Sequence, residues 1–308
     1  ELGRASRMLD SVGRYVEFAK STLDAQVRLD GMKVVVDCAN GAAYRTAPDT
    51  LNDLGAEVIS LATDPDGFNI NESCGAVHPD VMAAAVVAHG ADVGIALDGD
   101  ADRLIVADET GRIINGDQLL ACLAGTMRDE GSLRGGGVVG TVMTNGGIET
   151  CLADKGLKLH RARVGDRYVL EMMRAGGMNL GGESSGHILM TSLCPSGDGL
   201  IAALQMLHIL SRATKPASET FHMFAPKCQR LESLRDMDGA ILERQMIRDA
   251  LARIETDMGN AGRILVRPSG TEPLVRVMVE ADTEELLQSK MNEIISLLQG
   301  ESKNCLLY

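Results

Sequence analysis

The sequence predicts an α/β protein in three parts: two mixed α/β domains over residues 1–112 and 113–225, then a small α+β domain over 226–308. Three observations carry that expectation. Short apolar, β-branched runs alternate with Ala- and Leu-rich stretches at the spacing of β-α-β units. The alternation restarts after Gly116. The 308 residues also exceed the roughly 150 that one domain usually takes.

Taken in order, the chain opens on a helical pattern through Tyr15, Val16 and Phe18. Residues 32–37 are an apolar run that ends at Asn40-Gly41, a buried strand running into a loop. A helix over 47–54 and a strand over 57–61 follow, then a polar stretch over 64–79. Residues 81–88 are Ala-rich and therefore helical, 93–97 form the next strand, and 104–107 read as another. The second domain is expected to hold a helix at 117–129, a strand at 137–143, a helix at 147–155, a basic strand at 157–164 and a helix at 167–175. It closes with a helix over 199–210, for which Asp198 is the N-cap, and ends near 225 after a polar stretch at 211–220. The last domain is read as a helix at 246–255, strands at 262–266 and 274–281 around a turn, and a helix at 284–298.

Composition narrows the function. Hydrophobic residues are 45% and charged residues 24%, ordinary values for a soluble chain, while aromatics at 3% with no Trp mean aliphatic cores. A formal net charge of -13 argues against nucleic acid as a partner, since phosphate backbones are held by clustered Lys and Arg. It leaves room for a local Arg and N–H cluster that binds a small phosphorylated ligand. Seven Cys without a C-x-x-C pair indicate neither a disulfide framework nor a zinc site, so a cytoplasmic location is expected. No run approaches the roughly 18 apolar residues of a membrane span, and residues 1–10 lack a signal-peptide pattern, so no membrane partner is expected. Glu1 in place of Met, followed at once by a helical pattern, reads as a cut or disordered boundary.

Three loops carry chemistry. Asp98-Gly99-Asp100-Ala101-Asp102-Arg103 follows the strand at 93–97, so three carboxylates at alternate positions converge from one loop, as hard divalent cations require. An EF-hand would use the same spacing with Glu109 at its twelfth position, but Arg103 occupies the glycine position and no helix flanks the loop. A solvated acidic turn remains open on spacing alone. Gly181-Gly182-Glu183-Ser184-Ser185-Gly186-His187 presents a carboxylate, hydroxyls and an imidazole within seven positions, a set suited to sugar hydroxyls. Glu183 can accept from two vicinal hydroxyls, Ser185 can donate, and His187 is of the type that moves protons near neutral pH; a Gly-rich turn with a surface His is the plainer alternative. Arg267-Pro268-Ser269-Gly270-Thr271-Glu272-Pro273, with Arg276 after it, combines a fork-shaped donor, two hydroxyls and exposed N–H groups into a phosphate cradle. A plain hairpin turn accounts for its Pro, Ser and Gly but less well for Arg267 with Ser269 and Thr271. Gly135, Gly137 and Gly140 fit G-x-G-x-x-G but lead into a strand instead of following one, and neither a Walker lysine motif nor G-x-S-x-G occurs.

In this order the loops D-G-D-x-D-R, G-E-x-S-G-H and R-P-S-G-T-E-P resemble those of the α-D-phosphohexomutase family, and the resemblance covers nearly the whole chain. Residues 37–44 (Asp-Cys-Ala-Asn-Gly-Ala-Ala-Tyr), 164–167 (Val-Gly-Asp-Arg) and 196–199 (Ser-Gly-Asp-Gly) look like the branch that acts on glucosamine phosphates. The resemblance implies four domains around a cleft, of which this chain supplies the related second and third and the smaller fourth. The first domain, whose T-x-S-H-N-P type loop bears a phosphoserine, has no counterpart in these residues, so the chain alone is expected to be inactive. The implied reaction interconverts glucosamine 6-phosphate and glucosamine 1-phosphate through a sugar bisphosphate, in amino-sugar and cell-wall precursor synthesis. In that role Asp98, Asp100 and Asp102 would hold Mg2+, and Arg103 would contact the phosphoryl group. Glu183 and Ser185 would bind sugar hydroxyls, and His187 would move the proton. Arg267, Ser269, Gly270 and Thr271 would anchor the non-reacting phosphate, with Gly165, Asp166 and Arg167 in a further substrate loop. The implied partners are the phosphosugar and its bisphosphate; the sequence leaves open whether the protein is a homodimer. The alternatives are a phosphomannomutase or phosphoglucomutase and a non-catalytic phosphosugar-binding protein.

Overall fold

The computed structural model describes residues 3, 8–269 and 273–305, with side chains through residue 300. The chain divides into two compact units, residues 1–144 with 148–224 and residues 145–147 with 225–308. In the first unit α1 (Ser11–Ser21) precedes β1 (Lys33–Asp37), α2 (Thr46–Asp53), β2 (Glu57–Leu61), α3 (Asp80–His89), β3 (Val93–Leu97), β4 (Leu104–Asp108) and β5 (Ile113–Ile114). The sheet order is β2-β1-β3-β4-β5, with β1 parallel to β2 and β3 and the remaining pairs antiparallel.

The pattern then repeats. α4 (Gly116–Asp129), β6 (Gly137–Thr141), α5 (Gly147–Ala153), β7 (Lys158–Ala162), α6 (Asp166–Gly176), β8 (Leu180–Gly182), β9 (Ile188–Met190), α7 (Gly199–Arg212) and α8 (Ala217–Thr220) follow. The second sheet runs β7-β6-β8-β9, again two parallel pairs and then an antiparallel one. The β2-β1-β3-β4 part of the first sheet repeats the order and pairing of the second, with β5 added at the edge, and the two sheets are the two related mixed α/β domains expected for the family.

Alternating side chains of β1, β3 and β4 feed two cores, which is why these strands read as unbroken apolar runs. Val34, Val36, Ile95 and Val106 join Leu120 and Leu123 of α4 and Leu204 and Leu207 of α7. On the opposite face Val35, Ala96 and Ile105 pack with Met82 and Val86 of α3. In the second sheet Val139 and Leu189 meet Val169 and Met173 of α6. The helix starts carry their caps: Asn115 accepts from Gln118 N, and Asp198 accepts from Ile201 N as its place in the sequence predicts.

The second unit is a three-stranded antiparallel sheet ordered β10-β12-β11, made of β10 (Cys228–Arg235), β11 (Gly262–Pro268) and β12 (Leu274–Ala281), with α9 (Gln245–Met258) and α10 (Glu284–Cys305). Its core joins Val275, Val277 and Val279 to Ile247, Ile254, Leu287 and Met291. β10 corrects the sequence reading, which begins this domain's regular structure at 246. Arg230, Glu232 and Arg235 break the apolar pattern, and only Cys228 and Leu234 of this strand pack on the core. Its pairing along the whole length of β12 makes it a strand.

Among the described residues no helix is long and apolar enough to cross a membrane. One buried charge secures the end of the first unit. Asp108, closing β4, is fully buried; its Oδ1 accepts from Thr110 N at 2.9 Å, Thr110 Oγ1 at 2.6 Å and Arg112 N at 3.1 Å, and His222 Nε2 lies 2.9 Å from Oδ2. Burial pushes this carboxyl up, but the hydrogen bonds from Thr110, His222 and the Arg112 backbone outweigh it and hold it below the ordinary carboxylate range. A folded pKa below the unfolded one means stability that is complete above about pH 4 and is lost as pH falls through the folded value. Asp108→Asn is therefore expected to lower the Tm at pH 7 by roughly 3–8 °C. In thermal melts from pH 7 to pH 3 the gap between variant and parent should narrow below about pH 4; a constant gap would show that the charge contributes nothing.

Candidate functional site

The acidic loop is the turn between β3 and β4, and the Gly-Glu-Ser-Ser-Gly-His loop is the turn between β8 and β9. These are equivalent hairpins of the two repeated sheets, and their tips meet. Arg103 and His187 form an antiparallel β-bridge, and Leu104 N donates to Gly186 O at 2.9 Å. Gly186 is required for this approach: its φ is +94°, and a Cβ there would lie 2.1 Å from Leu104 O.

Asp98 is 5% exposed, Asp102 is half-buried and Asp100 is exposed. The backbone fixes their loop: Ala42 N donates to Gly99 O at 2.8 Å, Ala101 N to Asp98 O at 3.0 Å, and Arg103 N to Asp98 Oδ1 at 3.1 Å. One oxygen of each Asp then falls within 4.8 Å of the others. Burial first, and repulsion from Asp102 and Asp100, push the Asp98 carboxyl up; the backbone N–H and guanidinium of Arg103 offset this only in part. Arg103 Nε lies 3.4 Å from Asp98 Oδ2 and 3.8 Å from Asp102 Oδ1. Asp102 Oδ1 is buried and has no hydrogen-bond partner among the described residues. Three crowded carboxylates facing one guanidinium, with an orphaned oxygen among them, are a donor set that a hard divalent cation fits.

His187 is nearly buried. Its Nδ1 lies 3.1 Å from Asp102 Oδ2, and its Nε2, 3.9 Å from Asp166 Oδ2, has no hydrogen-bond partner among the described residues. Glu183 Oε1 accepts from Gly165 N at 2.8 Å, which docks the start of α6 on this hairpin. The structure thus brings together Asp98, Asp100, Asp102, Arg103, Gly165, Asp166, Glu183 and His187. Ser185 is exposed on the same hairpin. Arg167 stands apart from the cluster: its side chain is 80% exposed and pairs with Glu171 at 2.9 Å.

The second unit holds the remaining candidates. Arg267 and Arg276 sit directly opposite each other across β11 and β12, a register in which like charges repel. Burial, and then the charge of Arg276, hold the Arg267 guanidinium below its ordinary range. Arg276 Nε is buried and has no hydrogen-bond partner among the described residues. Such a pair invites a dianion. Ser269 N donates to Leu274 O at 2.9 Å at the mouth of the turn; Gly270 and Thr271 lie outside the described residues. In the sequence Arg276 is only a neighbour of the loop, because strand register, not spacing, sets it opposite Arg267.

Three family models match the chain in order. Residues 13–111 match phosphoglucomutase/phosphomannomutase alpha/beta/alpha domain II, residues 115–227 match domain III, and residues 229–297 match the C-terminal domain. Among curated proteins, the phosphoglucosamine mutase of Granulibacter bethesdensis is 52% identical over 297 residues, covering 96% of this chain and 65% of the relative. That of Paracoccus denitrificans is 52% identical over 299 residues, covering 97% and 67%. The chain thus spans about two thirds of the length of these relatives. Among solved structures, a phosphoglucomutase/phosphomannomutase family protein from Burkholderia thailandensis superposes with a TM-score of 0.77 at 25% identity, over 94% of this chain and 64% of that one. The N-acetylphosphoglucosamine mutase of Aspergillus fumigatus, solved with GlcNAc-6P and magnesium, shares the fold with a TM-score of 0.73 at 21% identity, over 91% and 64%.

Proposed function

Because the chain belongs to the phosphoglucomutase/phosphomannomutase family, the α-D-phosphohexomutases, we propose that it carries the metal, sugar and phosphate sites of a cytoplasmic enzyme interconverting glucosamine 6-phosphate and glucosamine 1-phosphate. Its three domains are residues 1–112, 113–225 and 226–308. The observation that supports this reading most is the bridge between Arg103 and His187, with Asp102 Oδ2 3.1 Å from the imidazole. It joins a cation-binding carboxylate cluster to a sugar-hydroxyl loop at one point.

Asp98, Asp100 and Asp102 would hold Mg2+, whose charge neutralises phosphoryl oxygens during transfer. Arg103, with its side chain 44% exposed, adds N–H donors to the same oxygens. Glu183 accepts Gly165 N through Oε1, leaving Oε2 to orient a sugar hydroxyl, and Ser185 offers a second polar contact. His187 Nδ1 faces a carboxylate, which favours a proton on that nitrogen and leaves Nε2 to take the proton of the attacking hydroxyl. Arg267, Ser269, Gly270 and Thr271, with Arg276, hold the non-reacting phosphate, whose binding energy is spent on orientation. Gly165, Asp166 and Arg167 line the substrate loop.

The test is turnover by the full-length protein of glucosamine 6-phosphate with Mg2+ and a trace of glucosamine 1,6-bisphosphate. We expect a kcat/KM at least about tenfold above those for glucose and mannose phosphates, the value of one well-placed polar contact. A preference for the neutral hexoses would make the protein a phosphogluco- or phosphomannomutase. Binding without turnover of any of them would leave the non-catalytic reading.

A further inference from the structure

A residue far from both loops in sequence reaches them through an intermediary. Tyr15 on α1 donates its hydroxyl to Asp198, 2.9 Å from Oδ1 and 2.8 Å from Oδ2. The same carboxylate caps α7 by accepting from Ile201 N at 3.0 Å. The 196–199 turn around it runs against both parts of the site. Gly199 N donates to Ala101 O in the acidic loop at 2.8 Å, and a Cβ at Gly199 would lie 2.5 Å from Arg103 O. A Cβ at Gly197 would lie 2.3 Å from His187 Nε2, so a side chain there would push the imidazole aside. α1 is itself fixed, with Val16 and Ala19 buried. Burial, and then the Asp198 charge, push the Tyr15 phenol far above its ordinary range, so it remains a donor at every working pH.

We propose that Tyr15 is a positioning residue which, through Asp198, holds the 196–199 turn against the acidic loop and His187. The catalytic part of this inference rests on the mutase reading above; the tether does not. Tyr15→Phe removes one hydroxyl and leaves the ring packing in place. Asp198→Asn keeps a good helix cap while weakening the acceptor.

The experiment combines amide hydrogen exchange with steady-state kinetics on the full-length protein. Both variants should exchange the Gly199 amide and amides of residues 98–103 roughly tenfold faster, the scale of one lost hydrogen bond, with amides of β1 and β12 unchanged. The kcat of Tyr15→Phe should fall roughly tenfold with KM within about twofold, because a misplaced catalytic group costs turnover before it costs binding. Unchanged exchange in both variants overturns the tether whatever the activity. Faster exchange with undiminished kcat overturns the positioning role. If the parent protein turns over no phosphosugar, the mutase reading fails and the exchange data alone decide whether the tether stands.

Discussion

Asp98→Asn is expected to abolish divalent-cation binding by the acidic loop and to lower phosphosugar turnover by roughly 10³-fold, equivalent to about 4 kcal/mol of lost charge stabilisation. Asp98 is the most buried of the three carboxylates, and burial penalises its charged form, so a bound cation would stabilise it directly. The amide keeps the acceptor that Asp98 Oδ1 offers to Arg103 N and removes one charge from a crowded set. The Tm should therefore change by no more than about 2 °C. Mn2+ titration followed by electron paramagnetic resonance separates the outcomes. Affinity retained in the variant would reject the loop as the metal site, and affinity lost with turnover intact would reject the metal's part in transfer.

What could be read in the sequence follows from where each element is buried. β1, β3 and β4 are covered on both faces by different cores, so their composition alone betrays them. β8 and β9 have three residues each, too few for any period to register, and β10 carries its charges toward solvent. The candidate loops were legible because carboxylates at alternate positions and hydroxyls among glycines are local patterns. Their meeting was not. The bridge of Arg103 to His187 arises because two separate hairpins occupy the same place in two repeated sheets, and sheet order is a property of pairing, not of any segment. Tyr15 is harder still: its partner lies 183 positions away, and a helix cap is reason enough for Asp198.

The second large effect is expected at His187, where two isosteric replacements separate its nitrogens. The amide nitrogen of Asn falls near the position of Nδ1, so His187→Asn can keep a donor toward Asp102 Oδ2 while deleting Nε2. Gln places its amide near Nε2 and loses the Asp102 contact. Nε2 is buried with no hydrogen-bond partner among the described residues, an arrangement that carries an unmade hydrogen bond unless a reacting hydroxyl completes it. We therefore expect His187→Asn to bind Mn2+ within about threefold of the parent, the modest change left when the carboxylate keeps its neighbour. Its kcat should nevertheless fall roughly 10²- to 10⁴-fold, the usual contribution of a positioned acid or base. His187→Gln should lose turnover to a similar degree and bind metal more weakly, because Asp102 is left with Arg103 alone. If His187→Asn turns over at the parental rate, the imidazole acts only by orienting Asp102, and the proton must leave the hydroxyl by another route.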